Sequence, residues 1–126
     1  MGRNGHVQTR PPEHNGSCIT DWAQSSLCKY LVDAGLEIET PGDDWSNAED
    51  ADCWEIPIPE IRTKNGNARR NYRKILSIAK ALRANPDAIK DDCGEGAYGD
   101  IAASILEEGV AADRKYKTGY ITINWW

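Results

Sequence analysis

Acidic and basic side chains are the groups of this sequence that are concentrated enough to form a chemical site, and they occupy separate stretches of the chain. Between positions 30 and 61 there are ten acidic side chains and no basic one. Between positions 62 and 86 there are eight basic side chains and no acidic one. Surfaces that carry a single sign of charge select their partners by electrostatic attraction. The separation therefore predicts at least one strongly charged binding surface.

The acidic stretch is densest between positions 43 and 52, where a tryptophan lies among carboxylates. These carboxylates lack the ligand order and central glycine of an EF-hand calcium loop. A protein-binding surface is the favoured interpretation, because an apolar anchor in a negative potential attracts basic partners. An ordinary solvated loop is the alternative.

The C-terminal Trp125–Trp126 pair is a second candidate contact. Strand alternation turns one of its two rings outward, unless both rings pack on the sheet. The predicted protein-binding residues are Asp43, Asp44, Trp45, Glu49, Asp50, Asp52 and Trp126.

The basic stretch predicts a cationic helix face with a basic loop before it. Three interpretations stay open: a solvated outer face, a face that docks on the acidic loop of the same molecule, and a face that grips a phosphate backbone. The net charge of −5 favours the first two. The candidate nucleic-acid-binding residues are Arg62, Lys64, Arg69, Arg70, Arg73 and Lys74.

Catalytic patterns are missing from the sequence. It has no GxSxG or HExxH motif, and both histidines lie in the N-terminal segment. The glycine-rich CGEGAYGD lacks the GK[ST] ending of a phosphate loop, and its acidic side chains would repel phosphate. The four cysteines form no CxxC pair, so a zinc site is not expected. We expect a protein without catalytic activity, cofactor or metal.

Hydrophobic periodicity predicts the elements that position these groups. Helices are expected at 18–34, 68–84 and 100–113, with a short one from Pro86 to about Asp91. Strands are expected at 36–40, 53–58 and 119–126. Pro57 and Pro59 remove backbone donors at alternate positions, which predicts either a strand at the edge of a sheet or a segment outside the ladder along one side.

The order of these elements predicts an α+β fold: a small antiparallel or mixed sheet of about three strands with three to four helices packed on it. Residues 1–16 are expected to form a polar N-terminal arm and 17–126 a single domain. No apolar run approaches the ~20 residues of a membrane span, and a cytoplasmic location is expected.

The favoured function is a non-catalytic protein-binding module, such as a phage or mobile-element inhibitor of the anti-defence or immunity type. Such a module would occupy a charged surface of a larger protein or nucleoprotein complex. The alternative is a nucleic-acid-binding accessory protein that uses the helix at 68–84.

Overall fold

Three α-helices and two antiparallel sheets make up the part of the chain that the computed structural model describes, residues 3–8, 16–42 and 47–125. The helices are α1 (Gln24–Asp33), α2 (Tyr72–Ala84) and α3 (Gly99–Tyr116). The strands are β1 (Asn4–Val7), β2 (Ile19–Thr20), β3 (Cys53–Pro57), β4 (Glu60–Arg62), β5 (Ala68–Arg70) and β6 (Tyr120–Trp125). The α+β class is confirmed, but the main sheet has four strands rather than about three, and a two-stranded sheet accompanies it.

The main sheet has the order β2-β1-β6-β3, so strand β1 lies inside it. Gly5 of β1 is opposite Trp125, and Val7 is opposite Ile123. A Cβ atom on Gly5 would lie only 2.5 Å from the Trp125 ring, so glycine leaves the space in which the indole lies on the strand. Thus the segment 1–16, predicted to be a polar arm, supplies a strand of the sheet.

Strand β3 forms an edge of the main sheet, as predicted from Pro57 and Pro59, of which only Pro57 lies in the strand. Glu55 exchanges two backbone hydrogen bonds of 2.8 Å with Glu39 on the outer side of β3. Backbone groups alternate between the two sides of a strand, so the nitrogen of Pro57 also points outward, where it interrupts no bond to β6. The strand predicted at 36–40 is reduced to this single bridge.

The core lies between the main sheet and the helices. Trp54 and Ile56 of β3, with Ile121, Ile123 and Trp125 of β6, alternate along their strands and are all buried. The rings of Trp54 and Trp125 meet edge to face, with centroids 4.9 Å apart. Helix α3 packs on β6, and α2 packs on α3. Each fully buried isoleucine contributes about 1.5–3 kcal/mol relative to an exposed one.

Helix α1 begins six residues later than the predicted 18–34. Ile19 and Thr20 pair with β1, and a 3₁₀ turn follows over Asp21–Ala23. The hydroxyl of Thr20 accepts a hydrogen bond from the backbone N–H of Trp22. Because Trp22 lies in this turn and not in the helix, its side chain points away from the core face and is 54% exposed. Gly35 follows α1 with a φ of 92°, in agreement with the predicted stop.

Candidate binding surface at the basic end of the molecule

The predicted basic helix is two elements. Helix α2 begins at Tyr72, whereas residues 68–70 form β5 and pair with β4 in a hairpin. Asn71 separates the two: its N–H donates to the carbonyl of Pro59, and its Oδ1 accepts from the N–H of Lys74, which caps α2. Arg69 and Arg70 were therefore assigned to the wrong element by periodicity, because local cross-strand pairing overrode the helical pattern.

The β4–β5 hairpin extends away from the rest of the protein. Every residue from Glu60 to Arg69 is exposed. Among the described elements, each of these two strands makes extensive contacts only with the other. A turn at 63–67 closes the hairpin. The backbone N–H of Thr63 donates to the carbonyl of Asn67, and the N–H of Gly66 donates to the carbonyl of Thr63. Arg62, Lys64 and Arg69 thus have their side chains in solvent, and within the described ranges no ion pair involves them.

A buried carboxylate anchors the hairpin to the helices. The Nε atom of Arg70 lies 2.6 Å from Oδ2 of Asp113, an ion pair although the N–H is not directed at that oxygen. The hydroxyl of Tyr72 donates to the same oxygen at 2.6 Å, and the N–H of Gly119 donates to Oδ1 at 2.7 Å. One carboxylate therefore joins β5, α2, α3 and the start of β6. Burial, together with the hydrogen bond to Asp113, raises the pKa of Tyr72.

This carboxylate also brings a second group of cations to the hairpin base. Arg114, Lys115 and Lys117 follow Asp113 at the end of α3, and all three are exposed. The guanidinium of Arg114 lies over the Tyr72 ring, 4.9 Å from its centroid. Sequence reasoning missed these residues, because they are some 30 positions beyond the basic stretch. The available signal was their clustering at the end of a helix, where cations interact favourably with the helix dipole.

Two segments make up this basic end, residues 58–74 and 113–119. Together they contain nine basic and two acidic side chains, which leaves a local net charge of +7. One of the two acids, Asp113, is fully buried against Arg70. The whole chain carries −5, so the remaining residues carry −12. The basic end is therefore opposite in sign to the rest of the chain.

The other predicted basic residues differ in their surroundings. Arg73 is exposed in the first turn of α2, and no ion pair between described residues includes it. Lys74 donates to the carbonyl of Gly35 at 3.3 Å, so it packs toward the end of α1. Arg83, at the far end of α2, forms ion pairs with Asp100 and Glu107 of α3. The basic stretch is thus divided between a free surface and helix packing.

The described part of the acidic loop lies at the start of β3, whereas the hairpin follows the end of that strand. Asp52 pairs with Arg3, whose guanidinium also contacts the backbone carbonyl of Asp50. Buried Gln24 donates to the carbonyls of Ala48 and Ala51, which fixes the loop backbone. Glu49 and Asp50 are exposed. Asp43, Asp44, Trp45 and Trp126 lie outside the described residues.

Internal docking of the basic face on the acidic loop receives no support from the described part of the chain. The recorded pairs of Arg70 and Arg83 are with acids of α3, and Asp52 pairs with Arg3. Strand β3 separates the two ends by about 13 Å, at about 3.3 Å per residue. That distance exceeds the Debye length of about 8 Å at physiological salt, so solvent ions screen one end from the other.

No described residues form a group of three or more His, Cys, Asp or Glu side chains that could hold a metal ion. A small cavity of about 70 Å³ lies beside the end of α3, lined by Tyr116, Tyr120 and Thr122 among others. It is well below the several hundred cubic ångströms of a typical small-molecule site. Its lining offers no carboxylate, histidine or cysteine as an acid, base or nucleophile.

Comparison with known proteins identifies no relative: no family model, curated protein or solved structure matches this chain. Among the described helices, none combines the length and apolar character that crossing a bilayer requires.

Proposed function

We propose that this chain is a non-catalytic nucleic-acid-binding protein whose basic end contacts the phosphate backbone. The observation that carries the proposal is the local net charge of +7 on one end of a chain of net charge −5. The contact surface consists of the hairpin, the first turn of α2 and the end of α3. Its exposed cations are Arg62, Lys64, Arg69, Arg73, Arg114, Lys115 and Lys117.

The overall negative charge does not oppose this function at short range. A phosphate that approaches the hairpin meets the nearby cations within one Debye length, whereas the described part of the acidic loop lies farther away than that. The excess of acids elsewhere has a different effect: it weakens adhesion in other orientations. This difference in sign therefore favours approach of nucleic acid by the basic end.

Fluorescence anisotropy with a labelled duplex over a range of salt concentrations tests the proposal. If about five phosphates are contacted, the logarithm of the association constant falls with a slope of about −4 to −5 against the logarithm of salt concentration. The variant R62E/K64E is expected to weaken binding by about tenfold or more at fixed salt and to reduce the slope by about two.

The variant K80E/K90E is the matched control. Lys80 and Lys90 are exposed and lie outside the basic end, and their replacement changes the net charge by the same amount. Binding close to that of the unchanged protein is expected for this control. Equal weakening by both variants would mean that net charge and not the basic end governs binding, and the absence of binding at low salt would refute nucleic-acid binding altogether.

A second candidate, a protein-binding module that acts as an inhibitor of a larger complex, is favoured by Trp22. This indole is 54% exposed, and its neighbour Asp21 contacts Arg3 beside the acidic loop. An exposed aromatic ring next to carboxylates is a suitable anchor for a basic protein partner. Affinity recovery from the host should then yield a partner that is lost with Trp22→Ser or E49K/D50K and retained with R62E/K64E. The opposite pattern would count against this candidate.

A further inference from the structure

We propose that the β4–β5 hairpin enters the major groove of duplex DNA and that its outward face contacts base edges. This inference rests on the proposed function and adds to it the kind of nucleic acid and the mode of contact. It follows from the register of the hairpin, its dimensions and the residue types on its outward face.

The register divides the hairpin into two faces. Ile61 is opposite Arg69, and the backbone bond from Thr63 to Asn67 continues this face toward the turn. The other face contains the pairs Glu60–Arg70 and Arg62–Ala68. Directly opposed side chains in an antiparallel pair project to the same side, and the side alternates along the strand. Because Arg70 turns toward buried Asp113, the face with Arg69 points away from the rest of the protein.

The dimensions of the hairpin fit one groove of B-DNA. Its two strands lie about 4.8 Å apart, and three residues per strand extend about 10 Å before the turn. The major groove is about 12 Å wide and about 8.5 Å deep and admits a two-stranded ribbon, whereas the minor groove is only about 6 Å wide. The two strands are therefore narrow enough to lie flat in the major groove, with the outward face of the ribbon toward the base edges. The deep, narrow major groove of duplex RNA excludes side chains.

The outward face carries residue types that read bases. Arginine recognises guanine, asparagine recognises adenine, and threonine bonds to either, while an apolar side chain contacts the thymine methyl group. Arg69, Asn67, Thr63 and Ile61 supply one of each. In this arrangement Arg73 and the cations at the end of α3 lie at the hairpin base, where the phosphates border the groove. Phosphate contacts position the protein and base contacts specify the sequence.

Duplexes of equal charge and different groove access test the mode of contact. The probes are a duplex DNA, the same duplex with glucosylated 5-hydroxymethylcytosine in place of cytosine, and the duplex RNA of the same sequence. The modified bases fill the major groove and leave every phosphate in place. We expect binding to weaken about tenfold or more on the modified DNA and on the RNA. Equal affinity for all three probes would overturn the inference while leaving nucleic-acid binding intact, and no binding to any probe at low salt would refute the proposed function as well.

The substitution Arg69→Lys tests base contact separately from charge. Lysine keeps the positive charge and loses the bidentate fork of the guanidinium. Selection from a randomised duplex pool is expected to enrich a guanine-containing site with the unchanged protein. Arg69→Lys should reduce the preference for that guanine by about fivefold or more, with the salt slope unchanged. A preference that survives Arg69→Lys would contradict a bidentate contact by the guanidinium, and a pool without enrichment would contradict base contact by the hairpin.

Discussion

Arg70 and Asp113 form an ion pair between the hairpin and α3, in which the carboxylate is fully buried and the arginine side chain is 31% exposed. The two residues are 43 positions apart in the chain. The pair fixes the hairpin base beside Tyr72 and the cations that follow Asp113. The position of the proposed binding surface therefore depends on one buried charge.

Replacement of Asp113 by asparagine should destabilise the protein. The substitution removes the charge that compensates Arg70 and weakens the bonds from Tyr72 and Gly119, which should lower the free energy of unfolding by about 2 kcal/mol or more. Urea denaturation measures the loss. Asp100→Asn, on the same helix, is the control, because Asp100 and Arg83 are both exposed, and it should cost no more than about 1 kcal/mol. Equal losses for the two variants would show that Asp113 has no special structural role.

Stability should fall at alkaline pH in part because of Tyr72. Burial and the bond to Asp113 raise the pKa of this phenol in the folded protein, whereas it ionises near pH 10 when unfolded. The unfolded state therefore loses its proton first, and the contribution present below about pH 10 is lost as the pH rises through the folded value. Burial also raises the pKa values of the Cys28 and Cys53 thiols, so these groups add losses of the same sign.

Tyr72→Phe separates the contribution of the phenol from that of the thiols. Urea denaturation at a series of alkaline pH values should show a shallower decline for Tyr72→Phe than for the unchanged protein, although the variant is less stable at neutral pH. A decline of unchanged steepness would mean that Tyr72 ionises with equal ease in both states.

Gly5 should be intolerant of a larger side chain. Valine at this position would collide with the Trp125 ring, where a Cβ atom has only 2.5 Å, and we expect a loss of about 2 kcal/mol or more in the free energy of unfolding. Asn4→Val is the matched control, since Asn4 is exposed in the same strand and valine favours strands. Thermal unfolding and near-ultraviolet circular dichroism measure both effects. If the N-terminal segment were a free arm, both variants would be neutral.

Gly109→Ala should be destabilising although alanine is the better helix former. At an exposed helical position the change would stabilise by about 1 kcal/mol. Here the new methyl group would lie 2.5 Å from Cγ2 of Ile121, so the close packing of α3 on β6 must open. Adding Ile121→Ala removes the colliding atoms, and the double variant should lose less stability than the sum of the single variants. Additive losses would argue against direct contact.

Local patterns predicted the elements whose cause is local. The apolar face of α2, with Ile75, Ile78 and Leu82 buried, follows from helical spacing. The edge position of β3 follows from the missing backbone donor of Pro57. The start of α2 was not predictable in the same way, because Arg69 and Arg70 fit a helical pattern as well as a hairpin, and pairing with β4 decided between them.

The sequence by itself determined that charge is segregated and that an amphipathic helix follows the switch in sign, because both properties are written in consecutive residues. Only the tertiary structure decided which charges are free. It paired Arg70 with Asp113 and placed Arg114 over Tyr72, and it separated the hairpin from the described acidic loop by the length of β3. The physical reason is that an ion pair depends on distance in space, and residues far apart in the chain come within a few ångströms only when the helices and the sheet pack around one core.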